Sequence, residues 1–302
     1  MTTVIPTTPA AAVAGGTVAP PAHYAWRAFL RNHAAVVGAA GLLLMLLFCL
    51  GWPLVSPHAY DAQDLARQLQ PPSLSHPCGT DIAGRDLLTR IAYGGRISLL
   101  VGLVATLVSL LIGVTWGAIA GYAGGRLDQV MMRAVDLLYS LPFMFFVILL
   151  VTYFGRSLVL LFVALGAVQW LTMSRIVRGQ VLSLKAQPFV EAARALGASS
   201  PAILSRHIVP NLLGPVIVYS TLTVPAVMLE EAFLSFLGLG VSPPATSWGL
   251  LTAEGAAAIS VLRTNWWLVV FPGAALSLTL FALNYVGDGL RDALDPKQVR
   301  QR

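Results

Sequence analysis

Between Ile97 and Tyr122 the sequence contains no Asp, Glu, Lys or Arg, and five other stretches are almost as free of charge. A backbone that crosses lipid must satisfy its polar groups internally, which an α-helix of about 20 mainly apolar residues does. The other runs are Ala34–Val55, Leu137–Phe154, Leu158–Ser174, one starting near Ile208, and Trp266–Val286. Six such runs point to an all-α, polytopic membrane protein with six transmembrane helices. Composition agrees: 11% of the 302 residues are charged, against about 25% in a soluble domain. With a mean hydropathy of +0.76, an ordinary soluble enzyme and a disordered chain are both excluded.

The net charge of +6 comes from basic residues scattered between the apolar runs. No basic stripe with interleaved aromatics is present, so the charge indicates membrane topology rather than nucleic-acid binding. With the N-terminus inside, the cytoplasmic pieces 1–33, 124–136, 175–207 and 288–302 carry thirteen Lys and Arg; the external pieces 56–96, 155–157 and 238–265 carry six. Both termini are therefore expected in the cytoplasm. Gly155-Arg156-Ser157 leaves room only for a tight loop between the third and fourth spans. Residues 1–26 read as a disordered cytoplasmic tail, 27–96 as the first transmembrane helix with an external segment, and 97–302 as a five-helix core. Arg27 and Arg31 before the first run resemble the flank of a signal peptide, but the apolar part is too long, so an uncleaved span is expected. Cys49 lies in an apolar run and Cys78 in a loop, which makes no disulfide framework.

The cytoplasmic loop 185–210 reads KAQPFVEAARALGASSPAILSRHIVP. Pro188 suits the first turn of a helix, where its missing N–H would be unpaired anyway. Glu191 complements the helix dipole there, and Ala192, Ala193, Ala195 and Leu196 propagate the helix. Gly197 offers the left-handed conformation that ends it, and Ser200-Pro201 caps and starts a second short helix. A solvated hairpin is one reading of this pair. The small side chains of Ala192 and Ala193 favour another, in which a partner protein approaches the backbone closely.

Glu191, Ala192, Ala193, Gly197 and Pro210 resemble the EAA loop of ABC-importer permeases. The stretches HPCGTDIAGRDLLTRIAYGGRISLLVG (76–102), GYAGGRLDQVMMRAVD (121–136), FLSFLGLG (233–240) and GDGLRDALDP (287–296) are similar to the peptide/nickel branch of that family. SLPFMFFVILLVTYFG (140–155) and RIVRGQVLSLK (175–185) are most similar to its oligopeptide-permease C-type subunits. The resemblance runs from about residue 25 to 297 and departs at Cys78, where a larger apolar residue is usual before GTD. It implies a type I ABC-importer permease fold in the bacterial inner (plasma) membrane. It also implies partners: a homologous second permease subunit, two ABC ATPase subunits, a periplasmic or extracellular peptide-binding protein, and surrounding lipid. Glu191, Ala192, Ala193, Leu196, Gly197, Ala198 and Leu204 would then meet the ATPase. The chain has no G-x-x-x-x-G-K-[ST], and neither of its two lysines, Lys185 and Lys297, follows a phosphate-cradling glycine loop. ATP and Mg are accordingly expected on the partner ATPases, with no cofactor in this chain and no enzymatic activity of its own. Dipeptides, nickel chelates or peptide antibiotics are alternative cargoes. A proton-coupled secondary transporter is a rival of another class, one that needs ionisable residues within spans and an internal repeat.

Glu230 and Glu231 interrupt an otherwise uncharged stretch from Ile208 to Ala253. Counted from Ile208, Glu230 lies roughly 33 Å along a helix, which places the pair near the external end. Either the pair anchors the helix and bonds to a neighbour, or it forms an external gate where a carboxylate meets a peptide's amino terminus. Pro215 and Pro225, with Pro210, can kink this span, as a packing device or because it lines the translocation path. Asp81, Arg85 and Asp86 read as local, exposed ion pairs of structural use, contact with the binding protein being the alternative. His76-Pro77-Cys78 supplies too few ligands, and His23, His33, His58 and His207 are scattered, so no metal is expected. Gly102, Ala105, Ser109, Gly113, Gly117 and Gly121 form a small-residue stripe on the second span, a helix-packing signal.

Overall fold

The computed structural model of the chain describes residues 22–155, 157–259 and 264–294. Eleven α-helices account for most of them, with one isolated β-bridge between Thr80 and Asp86 and no strand among the described residues. Five helices are long and apolar enough to cross a membrane, six if one bent pair counts as a span. The class is all-α.

Helix α1 (Ala22–Arg31) is amphipathic and begins inside the segment expected to be a tail. Phe29 explains this: it packs with Ala35 and Ala293 and so ties the helix to the C-terminal end of the bundle. The rest of that tail, residues 1–21, lies outside the described residues, as does Arg156 of the expected tight loop. Helix α2 (His33–Val55) starts where Asn32 Oδ1 accepts from Ala35 N at 3.2 Å.

Helix α3 (Leu87–Ala123) begins ten residues before the expected Ile97. Its cap is Asp86, whose Oδ2 accepts from Thr89 N at 2.9 Å. The arginines that made this region look non-helical are satisfied elsewhere. Arg96 donates to Cys49 O (2.7 Å) and Leu50 O (2.8 Å), carbonyls near the end of α2. Arg90 pairs with Asp81 and Glu254 at 2.5 and 2.8 Å.

The third expected span, Leu137–Phe154, is not one helix. Leu141 is extended, as the residue before a proline tends to be, and the chain breaks into α4 (Gly125–Ser140) and α5 (Phe143–Phe154). The two axes meet at 83°. At 12 residues α5 is about 18 Å long, too short to cross alone. Helix α6 (Leu158–Lys185) runs well past the expected Ser174. Two ion pairs to α4 accommodate its charges: Arg178 Nε and Nη2 donate to Asp128 at 2.5 and 2.6 Å, and Arg175 Nη2 to Asp136 at 2.8 Å.

After α7 (Pro188–Ala195) and α8 (Ser200–Ile203), a π-helical turn over Leu204–Ile208 leads directly into α9 (Val209–Phe236). The span that was expected to start at Ile208 is thus continuous from Ser200. Helix α10 (Trp248–Ala257) lies in the segment read only as external, and α11 (Trp267–Leu294) closes the bundle. Trp248 is fully buried; its indole N–H donates to Ile91 O at 2.9 Å and its backbone N–H to Ser98 Oγ at 3.1 Å. These bonds fasten α10 onto the N-terminal third of α3.

The small-residue stripe of α3 packs inside the chain. A Cβ on Gly113 would lie 2.6 Å from Met173 of α6, one on Gly121 3.0 Å from Arg178 O, and one on Gly102 2.9 Å from Met228 of α9. Helix α3 contacts α6 more extensively than any other pair of elements, the expected result of small residues every four positions.

Candidate coupling loop and membrane cavity

The loop after α6 folds as two short helices around Gly197, as its residues dictate. Pro188 stands at the first helical position, Glu191 in the first turn, and Gly197 takes φ +82°. Gly197 N donates to Arg194 O and Ala198 N to Ala193 O, both at 3.0 Å, which closes the end of α7. The second cap sits one residue earlier than the sequence suggested: Ser199 is the N-cap, and Ser200 and Pro201 occupy the first turn of α8.

The two helices have distinct faces. Val190, Ala193 and Ile203 point inward and join Met173, Val177 and Val181 of α6, Ala118 of α3, and Ile208 and Leu212. Leu204 and Ala198 are half-buried against the same cluster. Glu191, Ala192, Arg194, Ala195, Leu196 and Gly197 face outward. Ala193, expected to be offered to a partner together with Ala192, is instead core. Leu196 is the most exposed large apolar residue of the loop at 89%.

Glu230 and Glu231 diverge completely. Glu231 is fully buried, and its Oε1 accepts from Ser235 Oγ and Ser247 Oγ, each at 2.7 Å, so that it links α9 to the cap of α10. Glu230 faces α6, where its Oε1 accepts from Gln169 Nε2 at 2.7 Å. Gln169 lies eleven residues from Leu158, the first residue of α6, or about 16 Å of helix. This pairing sets Glu230, six residues before the end of α9, against the apolar part of α6.

Glu230 also lines a half-open cavity of about 610 Å³, together with Leu138, Tyr139 and Pro142 at the α4–α5 elbow and Ala167–Thr172 of α6. The elbow that the sequence did not suggest is what makes room for it. Neither interior proline of α9 lines this cavity: Pro225 is buried within the bundle and Pro215 is half-buried.

The GTDIAGRD segment is not a set of exposed local pairs. Asp81 Oδ1 accepts from Ala83 N and Arg85 N at 2.8 and 2.9 Å, and its Oδ2 pairs with Arg85 at 2.7 Å and Arg90 at 2.5 Å. Both Asp81 and Arg90 are buried, and Glu254 of α10 completes the network 164 residues from Arg90 in sequence. His76 has the neighbours that the sequence concealed. Its ring lies 4.7 Å from that of His58, and its Nδ1 is 2.9 Å from Asp86 Oδ1. The nitrogen and oxygen atoms of these three residues fall within 4.8 Å of one another. Asp86 is committed to capping α3, and Arg67 Nη1 lies 3.5 Å from His76 Nε2, so a metal ion would compete with a cation already present. Cys78 is buried beside them, and burial pushes its thiol up to about 11, which keeps it protonated at neutral pH.

The sequence profile described as "binding-protein-dependent transport system inner membrane component" matches residues 113–300. A second profile, the "N-terminal TM domain of oligopeptide transport permease C", matches residues 20–72. The chain is 53% identical over 273 residues to the oligopeptide transport system permease protein OppC of Escherichia coli strain K12, which covers 90% of this chain and 89% of that protein. It is 51% identical to the OppC protein of Haemophilus influenzae, covering 90% and 87%. The dipeptide transport system permease protein DppC of Bacillus subtilis is 46% identical, covering 91% and 86%.

Proposed function

This chain belongs to the binding-protein-dependent transport system inner membrane components, and we propose that it serves as a C-type permease subunit of an ATP-driven oligopeptide importer. The observation that carries the cargo assignment is identity above 50% across nine-tenths of the chain to two oligopeptide permeases. A dipeptide cargo is the second reading, favoured by the 46% identity to a dipeptide permease. In the proposed assembly a homologous permease subunit completes the pore, two ABC ATPases bind at the 185–210 loop, and a binding protein delivers peptide to the opposite face. The basic residues, thirteen against six in the two sets of loops, support cytoplasmic termini and a cytoplasmic coupling loop.

The coupling step follows from the loop's two faces. The outward face, Glu191, Ala192, Leu196 and Gly197, meets the ATPase, while Val190, Ala193 and Ile203 fix the loop to α3, α6 and α9. ATP-driven closure of the partner ATPases pushes on the loop, and the push tilts the helices rooted in that cluster. Such a contact transmits work only if its free energy differs between the inward- and outward-open states. The chain itself performs no hydrolysis: ATP and Mg act on the partners, and this subunit supplies the path. Glu230 lies on the wall of that path, and Glu231 is the post that holds α9 to α10.

Purification of the tagged chain in mild detergent tests the reading. Wild-type chain brings ATPase subunits with it, and Gly197→Asp loses them. No atom lies within 4 Å of a Cβ at this position, so the substitution strains only the φ +82° turn and adds a charge at the docking face. A wild-type chain that never co-purifies with an ATPase would sink the proposal.

A further inference from the structure

The cavity is lined by a carboxyl group, Glu230, whose hydrogen bonding is incomplete. Gln169 Nε2 occupies one carboxylate oxygen at 2.7 Å, and the other, Oε2, is buried without a hydrogen-bond partner among the described residues. No ion pair among the described residues includes Glu230. The cation next along α6 is Arg175, which pairs with Asp136 at 2.8 Å and stacks over Tyr139 at 4.3 Å. Gln169 is a neutral donor: it orients the carboxylate without cancelling its charge. A buried polar atom with no partner calls for a donor, and a carboxylate in a low-dielectric wall calls for a cation. Glu231, its neighbour in sequence, also has only neutral donors, two serine hydroxyls on Oε1, but it does not line the cavity.

We propose that Glu230, oriented by Gln169, is a subsite for the primary ammonium group of the peptide in transit. An ammonium supplies N–H donors to Oε2 and the balancing charge, while the apolar walls made by Leu138, Pro142 and Phe146 accept side chains of varied shape. The subsite selects for a free amino terminus and leaves peptide sequence unread. This rests on the permease reading given above.

The test uses the complete transporter in proteoliposomes, with Ala167→Cys as a reporter on the cavity wall; both native cysteines are buried. The rates at which a cationic and an anionic methanethiosulfonate label this cysteine are compared. A focused carboxylate field raises local cation concentration about tenfold or more, so the cationic-to-anionic ratio falls by at least that factor in Glu230→Gln. It stays unchanged in Glu231→Gln. In parallel, uptake of a peptide with a free amino terminus is measured relative to its N-formylated form, and this ratio falls at least tenfold in Glu230→Gln only. An unchanged labelling ratio or an unchanged uptake ratio in Glu230→Gln, or equal falls for both glutamates, would overturn the subsite. A side chain of the second permease subunit that neutralises Glu230 would leave the labelling ratio unchanged and so overturn it too. Failure of the permease reading is separate and visible in wild type, as absence of binding-protein-stimulated ATPase and of uptake.

Discussion

Arg90 sits at the centre of the buried network, bonded to Asp81 at 2.5 Å, Glu254 at 2.8 Å and Thr246 Oγ1 at 3.5 Å. Its side chain is 3% exposed and that of Asp81 5%, so water does not replace the guanidinium if it is removed. Asp81 keeps Arg85 at 2.7 Å and Glu254 keeps it at 3.8 Å, so the cost of leaving a buried charge wholly unpaired, about 3–5 kcal/mol, is the upper bound. Arg90→Ala should lower the unfolding free energy of the detergent-solubilised chain by up to that amount in an SDS titration, whereas Arg67→Ala, on an exposed pair, should change it by less than about 1 kcal/mol. Residue types and local spacing identified Asp81, Arg85 and Asp86 as paired. They could not reveal that the pairs are buried, because burial comes from α10, some 160 residues away. The same limit separates the two glutamates. Adjacent residues on a helix differ by about 100°, and only the positions of Gln169, Ser235 and Ser247 decide which faces the cavity and which the core.

At the scale of elements, five of the six expected spans were legible as uncharged runs, but their ends were not. An uncharged run marks the part of a helix that lies in lipid, but a helix continues past that run when its charges find partners, as Arg90, Arg96, Arg175 and Arg178 do in α3 and α6. The α4–α5 elbow went unread because Leu137–Phe154 is uncharged throughout, and the absence of charge does not register the steric effect of Pro142 on Leu141. The α3–α6 seam was legible from its period, and it makes a sharp prediction. A side chain on Gly117 would collide with Val177 Cβ (2.9 Å) and Arg178 N (3.0 Å), while nothing lies within 4 Å of a Cβ on Gly179 in the same region of α6. Gly117→Leu should destabilise the purified chain by at least ~1–3 kcal/mol through overpacking, since backbone cannot move aside. Gly179→Ala should be neutral or stabilising by up to about 1 kcal/mol. Equal effects in thermal unfolding would mean that the seam does not hold the two helices together.

For the whole molecule, the question is how a contact at the loop reaches a carboxylate in the membrane. The continuous helical segment Ser200–Phe236 has the loop's second helix at one end and Glu230 and Glu231 near the other. Glu231 is bonded to the cap of α10 through Ser247, and α10 is fixed to α3 by Trp248, so the proposed coupling would pass from α9 to α10 by these contacts. A rigid route of this kind separates two properties that a single docking residue would merge: gripping the ATPase and transmitting its motion. Under the proposed coupling, Leu196, 89% exposed, would serve the first and Ile203, 1% exposed, the second. Leu196→Asp should abolish ATPase co-purification while changing the stability of the chain by less than about 0.5 kcal/mol, as surface substitutions do. Ile203→Ala opens a void under α8 and should lower stability by about 2–5 kcal/mol. Because the outward face is untouched, ATPase subunits should still co-purify with this variant, but their activity should no longer rise when loaded binding protein is added. If Ile203→Ala kept full stimulation despite its lost stability, the inward cluster would be an anchor only, and motion would have to pass along α7 into α6 instead.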